Sequence, residues 1–127
     1  PARERIVIVG GDGFFSEGAR VNGSLTPAPI TIPADVPIRF RLIDIAIDFR
    51  VLMQLQRTDN TAVAWRQLAK DGAELPLERQ VTDTLPWVSA PGETADYEIT
   101  LPRGEYLLMV RQFRPGWVVP VRIVVGR

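Results

Sequence analysis

Apolar and polar residues alternate with a period of two along most of this chain, the pattern of strands that bury one face. Residues 103–125, RGEYLLMVRQFRPGWVVPVRIVV, form the clearest unit: an apolar strand, a short loop of Arg, aromatic and Pro residues, and a second apolar strand. In the first strand Tyr106, Leu108 and Val110 alternate with Leu107 and Met109, so both faces are apolar, which predicts a strand covered on both sides. In the second, Trp117, Val119, Val121, Ile123 and Val125 share a face. Upstream, Ile38, Phe40 and Leu42 alternate with Arg39 and Arg41, and continuing that period turns Asp44 inward. Either a bulge near Ile43 resets the register, or Asp44 is a buried carboxylate that must be hydrogen-bonded, because an unpaired buried charge is expensive. Phe49, Val51, Met53 and Leu55 line one face of the next strand. Residues 62–68 follow as a strand in which Trp65 is read as core. Residues 94–101 alternate Ala95, Tyr97, Ile99 and Leu101 inward with Thr94, Asp96, Glu98 and Thr100 outward, and the outward acids are expected to pair with Arg across strands. No segment reads as a helix longer than a turn. Eight or so short strands punctuated by Gly, Pro, Asn and Asp predict an all-β, antiparallel sandwich.

The predicted core is therefore Ile38, Phe40, Leu42, Val51, Met53, Leu55, Tyr97, Ile99, Leu108, Val110, Val119, Val121 and Ile123. A length of 127 residues suits one domain, residues 1–127, able to bury such a core. Lys+Arg and Asp+Glu are both 15, so no excess positive charge draws the chain to nucleic acid or anionic lipid. Neither Cys nor His is present, which removes disulfides, thiolate and imidazole metal ligands, cysteine nucleophiles and any Ser-His-Asp arrangement. No apolar run approaches a membrane span, and the N-terminus carries neither an initiating Met nor a signal pattern, so the sequence reads as a mature or excised piece.

Several local motifs invite functional readings and are better read structurally. Gly10-Gly11-Asp12-Gly13 leads into Phe14-Phe15-Ser16-Glu17-Gly18, a further turn, whereas a phosphate cradle leads into a helix. Asn22-Gly23-Ser24 fits a glycosylation sequon, but Asn-Gly is first a turn signal. The segment from Leu68 to Pro76, LAKDGAELP, is a tight turn whose Asp71 and Glu74 are too few to meet the oxygen count of Ca²⁺.

The order of motifs carries a resemblance. Val21-Asn22-Gly23-Ser24, Ile38-Arg39-Phe40-Arg41-Leu42-Ile43, the LAKDGAELP turn, Pro91-Gly92-Glu93-Thr94-Ala95-Asp96-Tyr97-Glu98 and Gly104-Glu105-Tyr106 together resemble a cupredoxin-like domain of bacterial, laccase-like multicopper oxidases, in particular the internal domain that binds no copper. The resemblance implies an antiparallel Greek-key β-sandwich. It also implies neighbouring cupredoxin domains of the same parent chain as partners, copper in those neighbours with none here, and a periplasmic or secreted location. In the copper-bearing pattern, Met109 stands for the first His, Val110 for the Cys, Arg111 for the second His and Trp117 for the axial Met, so each ligand is gone. Asp44 stands where the family usually has Asn. Some members lend a loop carboxylate of this domain to the substrate pocket, which makes Asp71 and Glu74 the candidates.

The expected role is a copper-free structural module, a spacer and cleft wall, within an oxidase of phenolic or metal-ion substrates that reduces dioxygen. The loop residues Arg111, Phe113, Arg114 and Trp117, with Pro115, are the candidate docking surface, being the Arg and aromatic types enriched at interfaces. Trp117 could instead fold back as a cap on its own domain. The rival role is an independent secreted module binding sugar or peptide on Phe113 and Trp117, and a third is an enzyme using a carboxylate pair.

Overall fold

A computed structural model describes residues 3–11, 19–46, 49–114 and 116–126. The strands are β1 (Glu4–Gly10), β2 (Arg20–Val21), β3 (Ile30–Pro33), β4 (Ile38–Asp44), β5 (Val51–Arg57), β6 (Trp65–Lys70), β7 (Ala73–Glu74), β8 (Thr82–Asp83), β9 (Trp87–Ser89), β10 (Thr94–Ile99), β11 (Gly104–Gln112) and β12 (Val118–Gly126). A single 3₁₀ turn, Leu77–Arg79, is the only helical element among the described residues. Two sheets face each other. Sheet A runs β2-β1-β4-β10-β6-β7, with β8 also on β6, and sheet B runs β3-β12-β11-β5-β9.

The expected β-sandwich is present, but its pairing is mixed. β1 lies parallel to β4, and β3 parallel to β12. The reason is the route of the chain: between β1 and β4 it crosses to sheet B as β3, and parallel neighbours require such a crossover. Period-two alternation fixes faces and carries no information on strand direction, so the two pairings were not legible.

Every residue of the predicted core is buried, from Ile38, Phe40 and Leu42 on β4 to Val119, Val121 and Ile123 on β12. Trp65 stacks on Tyr97 with ring centroids 4.0 Å apart and donates its indole N–H to the Leu85 carbonyl at 2.8 Å, so the large ring is core and its polar edge is satisfied. Asp44 chooses the second of its two alternatives. The β4 register runs unbroken from Ile38 to Asp44 against its neighbours, and the carboxylate is fully buried. It accepts hydrogen bonds from the Ser89 hydroxyl at 2.7 Å and the Ala46 N–H at 2.8 Å, tying β4 in sheet A to β9 in sheet B.

Asn22-Gly23 makes a two-residue hairpin turn, with φ of 51° and 81° and paired Val21–Ser24 backbone hydrogen bonds of 2.8 and 3.1 Å. The Asn22 side chain accepts the Ile8 N–H and donates to the Ile6 carbonyl, so it is a structural residue of β1 rather than an open acceptor site. The loop read over Asp12 to Gly18 lies outside the described residues, as does Pro115.

One expectation about β11 is corrected. Tyr106, Leu108 and Val110 face the core, but Leu107 and Met109 on the opposite face are only half-buried. Leu52 on the same outer face is buried, and Gln54 there donates to the Thr84 carbonyl, so the face is partly covered, with Leu107 and Met109 at its less covered part.

Candidate functional site

The loop between β11 and β12 is held at both ends by backbone bonds. The Gln112 N–H donates to the Trp117 carbonyl at 3.1 Å, and the Phe113 N–H to the Arg50 carbonyl at 2.9 Å, which ties the loop to the entrance of β5. A Cβ at Gly116 would come within 2.0 Å of the Gln112 side-chain oxygen, so a larger residue there would push that flexible side chain aside. The Gln112 side chain thus lies across the loop, at the edge of a cleft of about 360 Å³ lined by Phe49, Arg50, Pro91, Gln112, Phe113 and Arg114.

The predicted docking residues separate. Phe113 is 42% exposed, and the Arg50 guanidinium sits 5.0 Å from its ring centroid, a cation–π contact. Arg114, also exposed, lines the same cleft. Arg111 instead projects from the outer face of sheet B, in register with Leu52 of β5 and Val118 of β12. Trp117 turns inward: its ring meets Phe49 edge-to-face at 5.2 Å and packs against the core, as the capping alternative described. Its buried indole N–H finds no acceptor among the described residues. Arg50 and Pro91 are cleft residues that the sequence did not single out. Three separate segments build the cleft, and no local pattern joins them.

Asp71 and Glu74 lie elsewhere, on sheet A. Asp71 occupies a tight turn at φ 51° and accepts the Thr94 N–H at 2.9 Å, while Glu74 is bonded to Arg39. Both carboxylates are engaged by their own domain and neither lines the cleft.

The ligand positions implied by the resemblance can be tested against the chemistry of copper. A blue copper site needs a thiolate and imidazoles, and the sequence has neither. Strand alternation puts Val110 fully into the core and leaves Met109 and Arg111 on the opposite face, with Trp117 packed on Phe49. Among the described residues, no cluster of acidic side chains has the spacing to hold a metal ion. The residues present do not fit a blue copper site.

No protein-family model and no curated protein sequence matches the chain. Solved structures do. Fet3p, a multicopper oxidase that functions in iron import, superposes with a TM-score of 0.74 at 8% identity over 95% of this chain and 27% of its own. CueO, a laccase-like multicopper oxidase of the lignin-degrading Ochrobactrum sp., superposes with a TM-score of 0.72 at 18% identity, over 98% of this chain and 31% of its own. A further multicopper oxidase gives 0.64 at 16% identity, over 94% and 43%. The likeness is one of fold: this is a cupredoxin-like β-sandwich, and it corresponds to a domain-sized portion of those much longer oxidase chains. No described helix is long and apolar enough to cross a membrane.

Proposed function

We propose that this chain is the copper-free interdomain module of a multicopper oxidase, a spacer and cleft wall beside copper-bearing cupredoxin domains of the same parent. The observation that carries the reading is the β11–β12 hairpin, where the positions matching the family's ligands are a core Val, two outer-face residues and a capping Trp. The parent would be a laccase-like, copper-dependent oxidoreductase of the periplasm or the cell exterior, with copper held by the neighbours. Support comes from the fold and from the share of each oxidase chain that it matches. The half-sealed outer face of sheet B and the exposed Phe113 ring are surface for a neighbour, since contiguous apolar surface marks interaction sites.

A sugar or peptide platform would use the Phe113 and Trp117 rings side by side, and the inward turn of Trp117 leaves that reading one ring. Asp71 and Glu74 fit the role of scaffold carboxylates better than that of substrate-pocket groups, because each already serves a bond within the domain.

Phe113→Ser in the full-length parent tests the docking role. Docking predicts lower interdomain stability and turnover, with the stability of this chain alone changed by less than about 0.5 kcal/mol, as for surface substitutions. A parent that keeps both its melting behaviour and its turnover overturns the reading.

A further inference from the structure

Four arginines of this chain are tied to carboxylates on the outer faces of the sheets. Arg39 and Arg41 share Asp96, Arg39 also holds Glu74, Arg66 pairs with Glu98, and Arg122 with Glu105. Arg50 and Arg114, by contrast, have no carboxylate within ion-pair distance among the described residues, although Asp and Glu together are as numerous as Lys and Arg. These two cations line the same cleft, and among the described residues no acidic side chain lines it with them. Arg50 is steered there by its contact with the Phe113 ring and a long hydrogen bond, 3.4 Å, to the Ser89 carbonyl. The Gln112 amide, which also lines the cleft, makes no side-chain hydrogen bond within the described structure and so presents an idle donor.

We propose that the cleft seats a carboxylate side chain, Asp or Glu, presented by the neighbouring domain of the parent and held between Arg50 and Arg114 beside the Phe113 ring. This rests on the interdomain reading above and names the chemistry of the partner. Charge complementarity is the reason for choosing an acidic occupant: two guanidinium groups with no carboxylate partner among the described residues line one cleft with the apolar Phe49, Pro91 and Phe113, where a desolvated carboxylate makes charge-assisted bonds. The volume of about 360 Å³ is at the small end for ligand pockets, which suits a side chain protruding from a partner surface. Aromatic and Arg residues in one desolvated pocket are the usual anchors of an interface.

The test uses the full-length parent carrying Arg50→Gln with Arg114→Gln, beside Phe113→Ser. Interdomain opening is read by the rate of limited proteolysis in the linkers at low and high sodium chloride. The expected result for the arginine pair is linker cleavage faster by about tenfold or more at low salt, with the wild type approaching the same rate as salt screens the contact. An unchanged melting curve of the variant in this chain alone confirms that it folds. If Phe113→Ser speeds cleavage and the arginine pair does not, docking stands and the acidic partner is wrong. If neither variant speeds cleavage, both readings fall. A separate titration of this chain with benzoate and with benzyl alcohol, followed by isothermal titration calorimetry, covers the free-ligand source. Saturable binding of benzoate alone, together with unchanged linker cleavage in the arginine variant, places a small-molecule acid in the cleft and overturns the interdomain proposal.

Discussion

The outer faces of the two sheets solve the same problem in opposite ways. On sheet A, Asp96 of β10 is 4% exposed because Arg39 and Arg41 of β4 close over it at 2.6 and 3.3 Å. Arg66 of β6 meets Glu98 of β10 at 3.1 Å, so charges on neighbouring strands pair across most of this face, while Ile6 of β1 stays half-exposed on it. On sheet B, Met109 lies opposite Pro120 and Arg111 opposite Val118, which is 52% exposed, and the strip of apolar side chains is only partly covered. One face is covered mainly by its own ion pairs. The other has a single ion pair, Arg122 with Glu105, beside half-buried apolar area of the kind an interface uses. The difference separates the part of the sequence that folds this domain from the part left over for a neighbour.

The largest test of that division compares two adjacent residues of β11. Leu108 is fully buried between the sheets and Leu107 lies on the half-covered outer face. Leu108→Ala should destabilise the chain by about 2–4 kcal/mol, the cost of a large-to-small change in a core, and Leu107→Ala by about 1 kcal/mol or less. Urea denaturation of the two variants gives both numbers. Equal losses would mean that the outer face is sealed within the chain and the contrast is false.

A smaller effect is expected from the charges. Asp96→Ala leaves Arg39 and Arg41 without their shared carboxylate, and since both guanidinium groups keep some contact with water the cost should be about 1–3 kcal/mol, below that of a fully buried pair. Arg114→Ala breaks no ion pair and should change stability by less than about 0.5 kcal/mol. A comparable loss at the two positions would show that Arg114 is engaged within its own domain, and the contrast between paired and unpaired arginines would fail.

Much of this was legible in the sequence, for physical reasons that also mark where legibility stopped. Alternation identified the inward face of each long strand, because a period-two pattern is a direct record of which side is buried. It also put Asp96 and Glu98 on an outward face and anticipated their pairing with Arg, although not that two arginines would bury Asp96. Trp87 went unread as core, since the three residues of β9 are too few to establish a period. Phe113 and Trp117 were grouped as neighbours in one loop, and the structure sends one out and the other in. The alternation of the last strand already put Trp117 on the core face with Val119 and Val121, whereas Phe113 lies outside any period. Arg50 gave no signal because its role depends on Phe113, which only folding brings beside it.

The smallest expected effect concerns the residue that belongs to neither face, Asp44, which bonds the sheets together from inside. Burial raises the pKa of its carboxyl above the ordinary Asp value. Hydrogen bonds from Ser89 and Ala46 pull it down, the negative charge of Glu93 adds to the rise, and burial prevails. The folded state therefore holds the Asp44 proton more tightly than the unfolded chain does. Its contribution to stability is fully present below the unfolded value, about 3.9, and declines as pH rises from there through the raised folded value. Asn at this position, the residue usual in the resembling family, has no such charge to desolvate. Its side-chain oxygen can still accept the Ala46 N–H, and its NH₂ can donate to the Ser89 oxygen, leaving the Ser89 hydroxyl to the Val51 carbonyl at 3.3 Å. Asp44→Asn should then raise stability at pH 7 by on the order of 1 kcal/mol, the scale of a single hydrogen-bond exchange, with the gain shrinking toward pH 4 as the wild-type carboxyl takes up its proton. Paired urea denaturation curves at the two pH values isolate this residue, because the other carboxylates titrate alike in both proteins. A variant that loses stability, and loses more at pH 7 than at pH 4, would mean that the ionised carboxylate is the favoured form and that charge, rather than hydrogen bonding alone, links the two sheets.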